Sequence, residues 1–173
     1  YGTDGAFSEV RHNLMMTERF DYSQTYLKHG YKELSIPPAA DGGFRLDKGA
    51  LHIWPRKQFM LMGLANTDNG FTGTLFFPFE GEESFATIKT AEQAEAFFVK
   101  NFPDAMPLIP NLTQQYMDNP TSPLVIVRCS PWNYKNKVML IGDAAHAIVP
   151  FYGEGMNCGF EDVKIFTDIL EEL

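Results

Sequence analysis

The apolar positions along the chain predict a mixture of strands and helices. Runs rich in β-branched, aromatic and aliphatic residues are bounded by Pro, Gly, Asn or Asp, a pattern typical of β-strands. These predicted strands are Tyr31–Ile36, Leu51–Trp54, Phe59–Leu64, Gly73–Phe79 and Leu124–Cys129. Asn69-Gly70 separates the third run from the fourth, which favours a hairpin at that point.

Helical periodicity occurs in other parts of the chain. Apolar residues between Asp4 and about Arg19 recur every three or four positions and predict a turn and a helix. Thr90-Ala91-Glu92-Gln93 has the pattern of a capping box and predicts a helix that ends near Asn101. A further helix is expected to begin near Gly155, because apolar residues from Met156 to Leu173 recur at roughly helical spacing.

The segment from Val138 to Asn157 combines a strand, an acidic turn, a loop and a helix start. Val138–Ile141 is wholly apolar, and Asp143 follows it at the carboxyl end, where open α/β sheets bind ligands. An ionised Asp143 accepts hydrogen bonds from hydroxyl groups, and the free N–H groups of a helix start suit an electron-rich ring edge. This pattern indicates a site for a polyhydroxylated cofactor. The spacing alone equally allows a structural turn that Gly153 and Gly155 shape and Asp143 caps.

Composition and charge narrow the classes of function. The 173 residues are 45% hydrophobic, enough for a sizeable core, and length favours a single domain. The formal net charge of -8 disfavours nucleic acid or an anionic membrane as a partner. The sequence contains no apolar stretch of membrane-spanning length. We expect Cys129 and Cys158 to be free thiols.

Asp143 and His146 are separated by three positions, a spacing that is compatible with a metal pair or an acid-base dyad. A metal site needs three or four ligands, and the other histidines lie in unrelated local contexts without ligand spacing. We therefore predict no metal site, and a structural role for His146.

Two motifs resemble those of the flavoprotein aromatic hydroxylases. Gly142–Asn157 resembles the family's second FAD-binding motif, Gly-Asp-Ala-Ala-His followed by Pro and Gly-x-Gly-x-Asn, and Gly2–Arg11 resembles its Asp-Gly motif. Segments between them resemble the kynurenine-hydroxylating members in particular. These segments are His29–Leu34, Leu51–Arg56, Thr74–Phe79 and Phe102–Pro107. The resemblance covers essentially the whole chain.

The resemblance implies an α+β fragment of an α/β flavoprotein hydroxylase. An antiparallel or mixed substrate-binding sheet, residues 23–135, is expected between two pieces of the FAD-binding domain, residues 1–22 and 136–173. The family's Gly-x-Gly-x-x-Gly part, which holds the ADP half of FAD, and its C-terminal part are expected to lie outside this sequence. The isolated chain is therefore expected to be inactive.

The resemblance also implies the reaction and its residues. It implies FAD- and NADPH-dependent hydroxylation of L-kynurenine at position 3 with O₂, a step of tryptophan degradation, with no catalytic side chain in this chain. The implied FAD-binding residues are Asp143, Pro150, Gly155, Met156 and Asn157. The implied substrate-binding residues are Leu51, Met60, Met62, Leu64, Phe76, Phe151 and Tyr152. By pattern alone, Met and Phe on one sheet face are ordinary core.

Departures from the family pattern keep other functions open. Glu154 stands where members usually carry Gln, and Tyr152 where Phe or His is commoner, so a related hydroxylase of another aromatic substrate is an alternative. A non-catalytic binder of an apolar ligand is a second alternative, although it has no need of an acidic turn, a Pro-containing loop and a glycine-opened helix in series. A cytoplasmic location is expected, or the mitochondrial outer membrane for a eukaryotic source.

Overall fold

The computed structural model describes residues 1–172, which form two compact units. Unit 1 contains residues 1–27 and the C-terminal stretch from residue 124, and unit 2 contains residues 28–123. The domain boundaries expected from the sequence, after residues 22 and 135, stay a prediction. The observed boundaries fall within two long strands, β1 (Asp21–Ile36) and β5 (Ser122–Ser130).

The main sheet has five strands in the order β2-β3-β4-β1-β5, where β2 is His52–Arg56, β3 is Phe59–Ala65 and β4 is Phe71–Pro78. The pairs β2-β3, β3-β4 and β4-β1 are antiparallel, which confirms the predicted sheet type. The predicted hairpin joins β3 to β4. Its loop places Asn69 at a φ of 67°, and the Asp68 side chain accepts a hydrogen bond from the Gly70 N–H at 2.9 Å.

The predicted strand Tyr31–Ile36 was too short. In the structure, β1 also includes the ten residues from Asp21 to Gly30. Polar side chains dominate that part of the strand, so it lacks the apolar run that marks a buried strand. Predicted strand Leu51–Trp54 is also displaced, because β2 begins at His52 and continues through Pro55.

Two helices cover one face of the sheet in unit 2. The first, α2 (Ala91–Asn101), begins at the predicted capping box, in which Gln93 N–H donates to Thr90 Oγ1 at 3.3 Å and Thr90 N–H donates to Gln93 Oε1 at 3.1 Å. The second, α3 (Leu112–Asp118), was not predicted. It is short, and Leu112 and Tyr116 are its buried residues, so tertiary packing stabilises it.

The core of unit 2 is rich in phenylalanine. The rings of Phe77 on β4 and Phe97 on α2 lie 4.8 Å apart between centroids, and Phe59 on β3 lies 5.2 Å from Phe77. Phe98 and Phe102 complete this phenylalanine cluster and are fully buried. Burial of each such ring contributes roughly 1.5–3 kcal/mol, so the cluster holds the helices against this face of the sheet.

In unit 1, short elements surround a small core. Helix α1 spans Glu9–Leu14, less than the predicted Asp4–Arg19. The predicted strand Val138–Ile141 is β7 (Val138–Met139), which pairs with β6 (Asn133–Tyr134), and Leu140 then forms a parallel bridge with Gly2. A one-turn helix, α4 (Asp143–His146), follows. As predicted, a long helix begins at Gly155; this is α5 (Gly155–Glu171).

The remaining features concern the whole described chain. Cys129 and Cys158 are free thiols, as expected. Within residues 1–172, no helix is both long and apolar enough to cross a bilayer.

Candidate functional site

The Gly142–His146 turn presents the Asp143 carboxylate to solvent. Gly142 has a φ of 64°, a conformation that favours glycine, and its carbonyl accepts hydrogen bonds from the N–H groups of Ala145 and His146 at 2.8 and 2.9 Å. Asp143 is the first residue of α4 and is exposed. Its carboxylate has no hydrogen-bond partner among residues 1–172, so both oxygens are available to accept hydrogen bonds from a ligand.

The start of α5 lies next to that carboxylate. A Cβ atom placed on Gly155 would be 3.9 Å from Asp143 Oδ1. No side chain caps α5, and within the described chain the N–H groups of Gly155, Met156 and Asn157 have no acceptor. The first helical bond joins Cys158 N–H to the Glu154 carbonyl at 2.9 Å. Free donors and a free carboxylate therefore lie side by side in unit 1.

The loop before α5 contains the other predicted residues of unit 1. Gly153 has a φ of 70° and its N–H donates to the Pro150 carbonyl at 3.3 Å, which closes a tight turn. Phe151 is half-buried in this turn, whereas the side chain of Tyr152 is 79% exposed. Glu154, which like Tyr152 departs from the family pattern, accepts a hydrogen bond from Asn157 Nδ2 at 2.8 Å.

A buried arginine that the sequence analysis did not single out links α1 to α4. Arg11 is 3% exposed, and its Nη1 donates to the Ala144 carbonyl at 2.8 Å. Its Nη2 donates to the Ala6 carbonyl at 2.6 Å. Arg11 follows Phe7 by four positions and precedes Leu14 by three. A cation at the spacing of the apolar residues was therefore the sequence feature that could have indicated a buried arginine.

Asp4 in the Asp-Gly motif organises the start of α1. Its carboxylate accepts hydrogen bonds from Ser8 Oγ at 2.6 Å, from the Glu9 N–H at 2.8 Å and from the Val10 N–H at 3.2 Å. The Ser8 hydroxyl bond, together with these backbone bonds, lowers the pKa of Asp4 below its ordinary value. The two family motifs are therefore connected through α1, because this helix also contains Arg11.

His146 and Asp162 form a second unpredicted connection. His146 Nε2 lies 2.8 Å from Asp162 Oδ2, and the Gly142 N–H donates to the same oxygen at 2.8 Å. Within the described residues, no group of three or more His, Cys, Asp or Glu side chains could hold a metal ion.

In unit 2, most of the predicted substrate residues share one sheet face. Met60 pairs with Phe76 across β3 and β4, and Phe76 pairs with Tyr31 on β1, with ring centroids 6.3 Å apart. Met62 and Leu64 lie two and four positions after Met60 on β3, so they share its face. This row alternates with Leu61, Leu75 and Phe77, which belong to the core beneath α2 and α3.

Burial differs among these residues. Met62 and Phe76 are both 3% exposed. Leu64 is 42% exposed, and Leu51, which precedes β2, is 40% exposed. The β3-β4 register thus places Phe76 beside Met60, and Leu51 lies outside the strands.

Comparison with known proteins gives consistent results. Residues 113–172 match a family described as FAD binding domain. The chain is 55% identical over 99% of its length to kynurenine 3-monooxygenase from Flavobacterium psychrophilum, and 57% identical over 99% of its length to that from Dictyostelium discoideum. It spans 38% and 37% of those two relatives.

Solved structures share the fold at lower identity. The tetrameric form of 2-methyl-3-hydroxypyridine-5-carboxylic acid oxygenase matches 91% of this chain and 41% of its own, with a TM-score of 0.67 and 21% identity. The Pseudomonas aeruginosa protein pqsL, a probable FAD-dependent monooxygenase, matches 98% of this chain and 44% of its own, with a TM-score of 0.67 and 17% identity. Over nearly its whole length, the chain is thus similar to a segment of the kynurenine 3-monooxygenases, and it shares its fold with these two solved oxygenase structures.

Proposed function

We propose that the chain is the FAD- and substrate-contacting segment of an NADPH-dependent monooxygenase that hydroxylates the aromatic ring of L-kynurenine at position 3. The observation that carries this proposal is the exposed Asp143 carboxylate beside the uncapped start of α5. The relatives that match at 46–57% identity are named for this activity, which supports the choice of substrate.

The residues of this site fit FAD. An ionised carboxylate only accepts hydrogen bonds, so Asp143 suits the hydroxyls of a ribityl chain. The free N–H groups of Gly155, Met156 and Asn157 suit the carbonyl-bearing edge of a flavin, because a helix start combines free donors with partial positive charge. Gly155 lets this edge approach the backbone without a Cβ atom between them.

The role of the chain in this reaction is binding and orientation. Bound FAD supplies the redox chemistry with NADPH and O₂. Asp143 holds the cofactor's sugar-like chain, and the start of α5 orients its ring. We nominate no side chain of this chain as an acid, a base or a nucleophile.

The row Met60, Met62, Leu64 and Phe76 is proposed to contact the aromatic ring of the substrate, with Leu51, Phe151 and Tyr152 as further contacts. Two observations support this role. The row lies on the sheet face opposite the phenylalanine cluster, and two of its members, Met62 and Phe76, are shielded from water. Apolar, polarizable side chains suit an aromatic ring and exclude water from it.

A related hydroxylase of another aromatic substrate is the second candidate. Tyr152 and Glu154 favour it, because both depart from the family pattern within the loop that precedes α5. Turnover of the intact protein with L-kynurenine and with other amino-substituted aromatic acids separates the candidates. The proposal requires NADPH consumption coupled to 3-hydroxylation of kynurenine. If another aromatic acid stimulates NADPH consumption and L-kynurenine does not, the second candidate is favoured.

The Asp143→Ala variant of the intact protein tests the cofactor site. Loss of one charge-assisted hydrogen bond to a hydroxyl, worth roughly 1.5–3 kcal/mol, should weaken FAD binding by about ten-fold to a hundred-fold. Fluorescence titration of the apoprotein with FAD measures the affinity. Asp168→Ala is the control, because Asp168 is an exposed carboxylate that bonds Lys164 on α5. Unchanged FAD affinity with a lower unfolding temperature would instead assign Asp143 a structural role.

A further inference from the structure

One carboxylate oxygen on α5 holds both ends of α4. Asp162 Oδ2 accepts the Gly142 N–H at 2.8 Å, immediately before the helix, and it bonds His146 Nε2 at 2.8 Å, at the last residue of the helix. A carboxylate only accepts, so His146 presents its Nε2–H to Asp162. Because α4 has only four residues, two attachment points fix both its position and its rotation.

These bonds also affect the position of Asp143, the first residue of that helix. The Gly142 peptide N–H is directed at Asp162, while its carbonyl caps α4 through Ala145 and His146. Gly142 itself has a φ of 64° and a ψ of -143°, so the direction in which the chain enters α4 depends on this one residue. Fixing the peptide on one side of Gly142 therefore fixes where the Asp143 carboxylate is presented.

The α5 residues that approach the Gly142–His146 turn lie on one face of the helix. Asp162 follows Gly155 by seven positions, which is nearly two full helical turns, so both residues face the same side. Gly159 lies between them, and a Cβ on Gly142 would be 3.8 Å from Gly159 Cα. This close approach of α5 to the turn brings the Asp162 side chain within reach of Gly142 and brings Gly155 beside Asp143.

The bonds of Asp162 are partly shielded from solvent. The Asp162 side chain is 17% exposed and the His146 side chain is 21% exposed. The Trp132 ring lies 4.9 Å from the His146 ring, and Trp132 is held in place by a hydrogen bond from its Nε1 to the Cys129 carbonyl at 2.9 Å. Partial exclusion of water strengthens hydrogen bonds and makes their loss costly.

From this geometry we propose that Asp162 is a positioning residue for FAD binding: it holds α4 at both ends and thereby sets the Asp143 carboxylate at the start of α5. The inference rests on the proposed function, because it assigns Asp162 an effect that is transmitted through the cofactor contact of Asp143. Asp162 itself touches no cofactor in this scheme.

The test uses the intact protein and FAD titration of its apoprotein. Asp162→Ala removes both bonds and should weaken FAD binding roughly ten-fold. Asp162→Asn keeps an oxygen that can accept from Gly142 and His146, so it should remain within about three-fold of the unaltered protein. Asp168→Ala, which removes an exposed carboxylate from the same helix, is the matched control and should leave the affinity unchanged.

A double-mutant cycle shows whether Asp162 acts through Asp143. In an Asp143→Ala background, Asp162→Ala should weaken FAD binding by less than about two-fold further, because the contact that it positions is already absent. A merely structural role predicts that the two effects multiply. Multiplying effects, or an Asp162→Ala affinity equal to that of the Asp168→Ala control, would overturn the inference.

His146→Leu is the replacement variant if Asp162→Ala does not fold. It removes one of the two bonds to Asp162 and should weaken FAD binding about three-fold, again without further effect in the Asp143→Ala background. Independent effects of His146→Leu and Asp143→Ala would contradict the inference. If Asp143→Ala alone leaves FAD affinity unchanged, the proposed function fails and the inference fails with it. If Asp143→Ala weakens FAD binding but the Asp162 and His146 variants have the FAD affinity of the Asp168→Ala control, the inference fails and the proposed function stands.

Discussion

Single polar residues of unit 1 act through connected hydrogen bonds. Asp4 bonds Ser8, the Ser8 hydroxyl accepts the Arg11 N–H at 2.9 Å, and the Arg11 guanidinium reaches the Ala144 carbonyl beside Asp143. The Arg11 side chain is buried, with its guanidinium carbon 5.0 Å from the centroid of the Tyr22 ring, so its position is well defined. Changes at Asp4 should therefore affect stability in a way that depends on its charge.

The Asp4→Ala variant should lower the free energy of unfolding by about 1 kcal/mol at neutral pH, because the first N–H groups of α1 lose their acceptor and exposure limits the effect. The pKa of Asp4 is lowered from 3.8, chiefly by Ser8, so this contribution is fully present above pH 3.8 and is lost as the pH falls through the lowered pKa. Urea unfolding of both proteins at neutral and acidic pH measures the difference. A difference that stays constant into the acid range would show that the ionised carboxylate is not responsible.

At the scale of elements, the β-sheet gives adjacent residues different roles. Phe77 points into the phenylalanine cluster under α2, and Phe76, the next residue, lies on the opposite face beside Met60. Both side chains are nearly fully buried, at 0% and 3% exposure. Burial alone therefore does not distinguish a core residue from a proposed substrate contact.

Alanine substitution at each position of this pair in the intact enzyme tests the assignment of the two faces. Phe76→Ala should raise KM for the aromatic substrate and increase the peroxide released per NADPH consumed, because a looser pocket orients the ring less well and admits water. Phe77→Ala is the matched control and should reduce stability by about 3–5 kcal/mol with unaltered coupling in the folded fraction. Thermal midpoint and peroxide yield are measured on the same preparations. A large stability loss for Phe76→Ala with normal peroxide yield would remove this row of residues from the proposed substrate site.

At the scale of the whole molecule, the chain supplies only part of the proposed machinery. It spans 38% of the Flavobacterium psychrophilum relative, and the sequence contains no Gly-x-Gly-x-x-Gly motif for the ADP half of FAD. The proposed contacts of Asp143 and the start of α5 are only a few of those that a dinucleotide-sized cofactor requires. We therefore expect these residues by themselves to bind FAD weakly.

We expect residues 1–173, expressed alone, to be colourless and unable to oxidise NADPH. The absorption spectrum and an NADPH oxidation assay on the purified chain measure this, and the intact protein prepared identically is the yellow control. A stoichiometric amount of FAD on the isolated chain would mean that these residues contain the complete cofactor site.

The sequence by itself determined the features that depend on neighbouring residues. The capping box at Thr90, the hairpin at Asn69-Gly70 and the start of α5 at Gly155 each follow from a few adjacent side chains, and the structure has all three. The motif around Asp143 is also local, so the sequence could nominate a cofactor site before any geometry was known.

Only the tertiary structure decided the features that depend on distant residues. The first part of β1 is polar and the helix α3 is short, so pairing and packing stabilise them where local pattern gives no signal. Arg11 bonds a carbonyl 133 positions away, and Asp162 bonds a peptide 20 positions away. Local periodicity contains no information about such partners, because a hydrogen bond between distant residues depends on how the whole unit packs. The sequence thus nominated Asp143, whereas folding determined which side chains bond the turn that contains it.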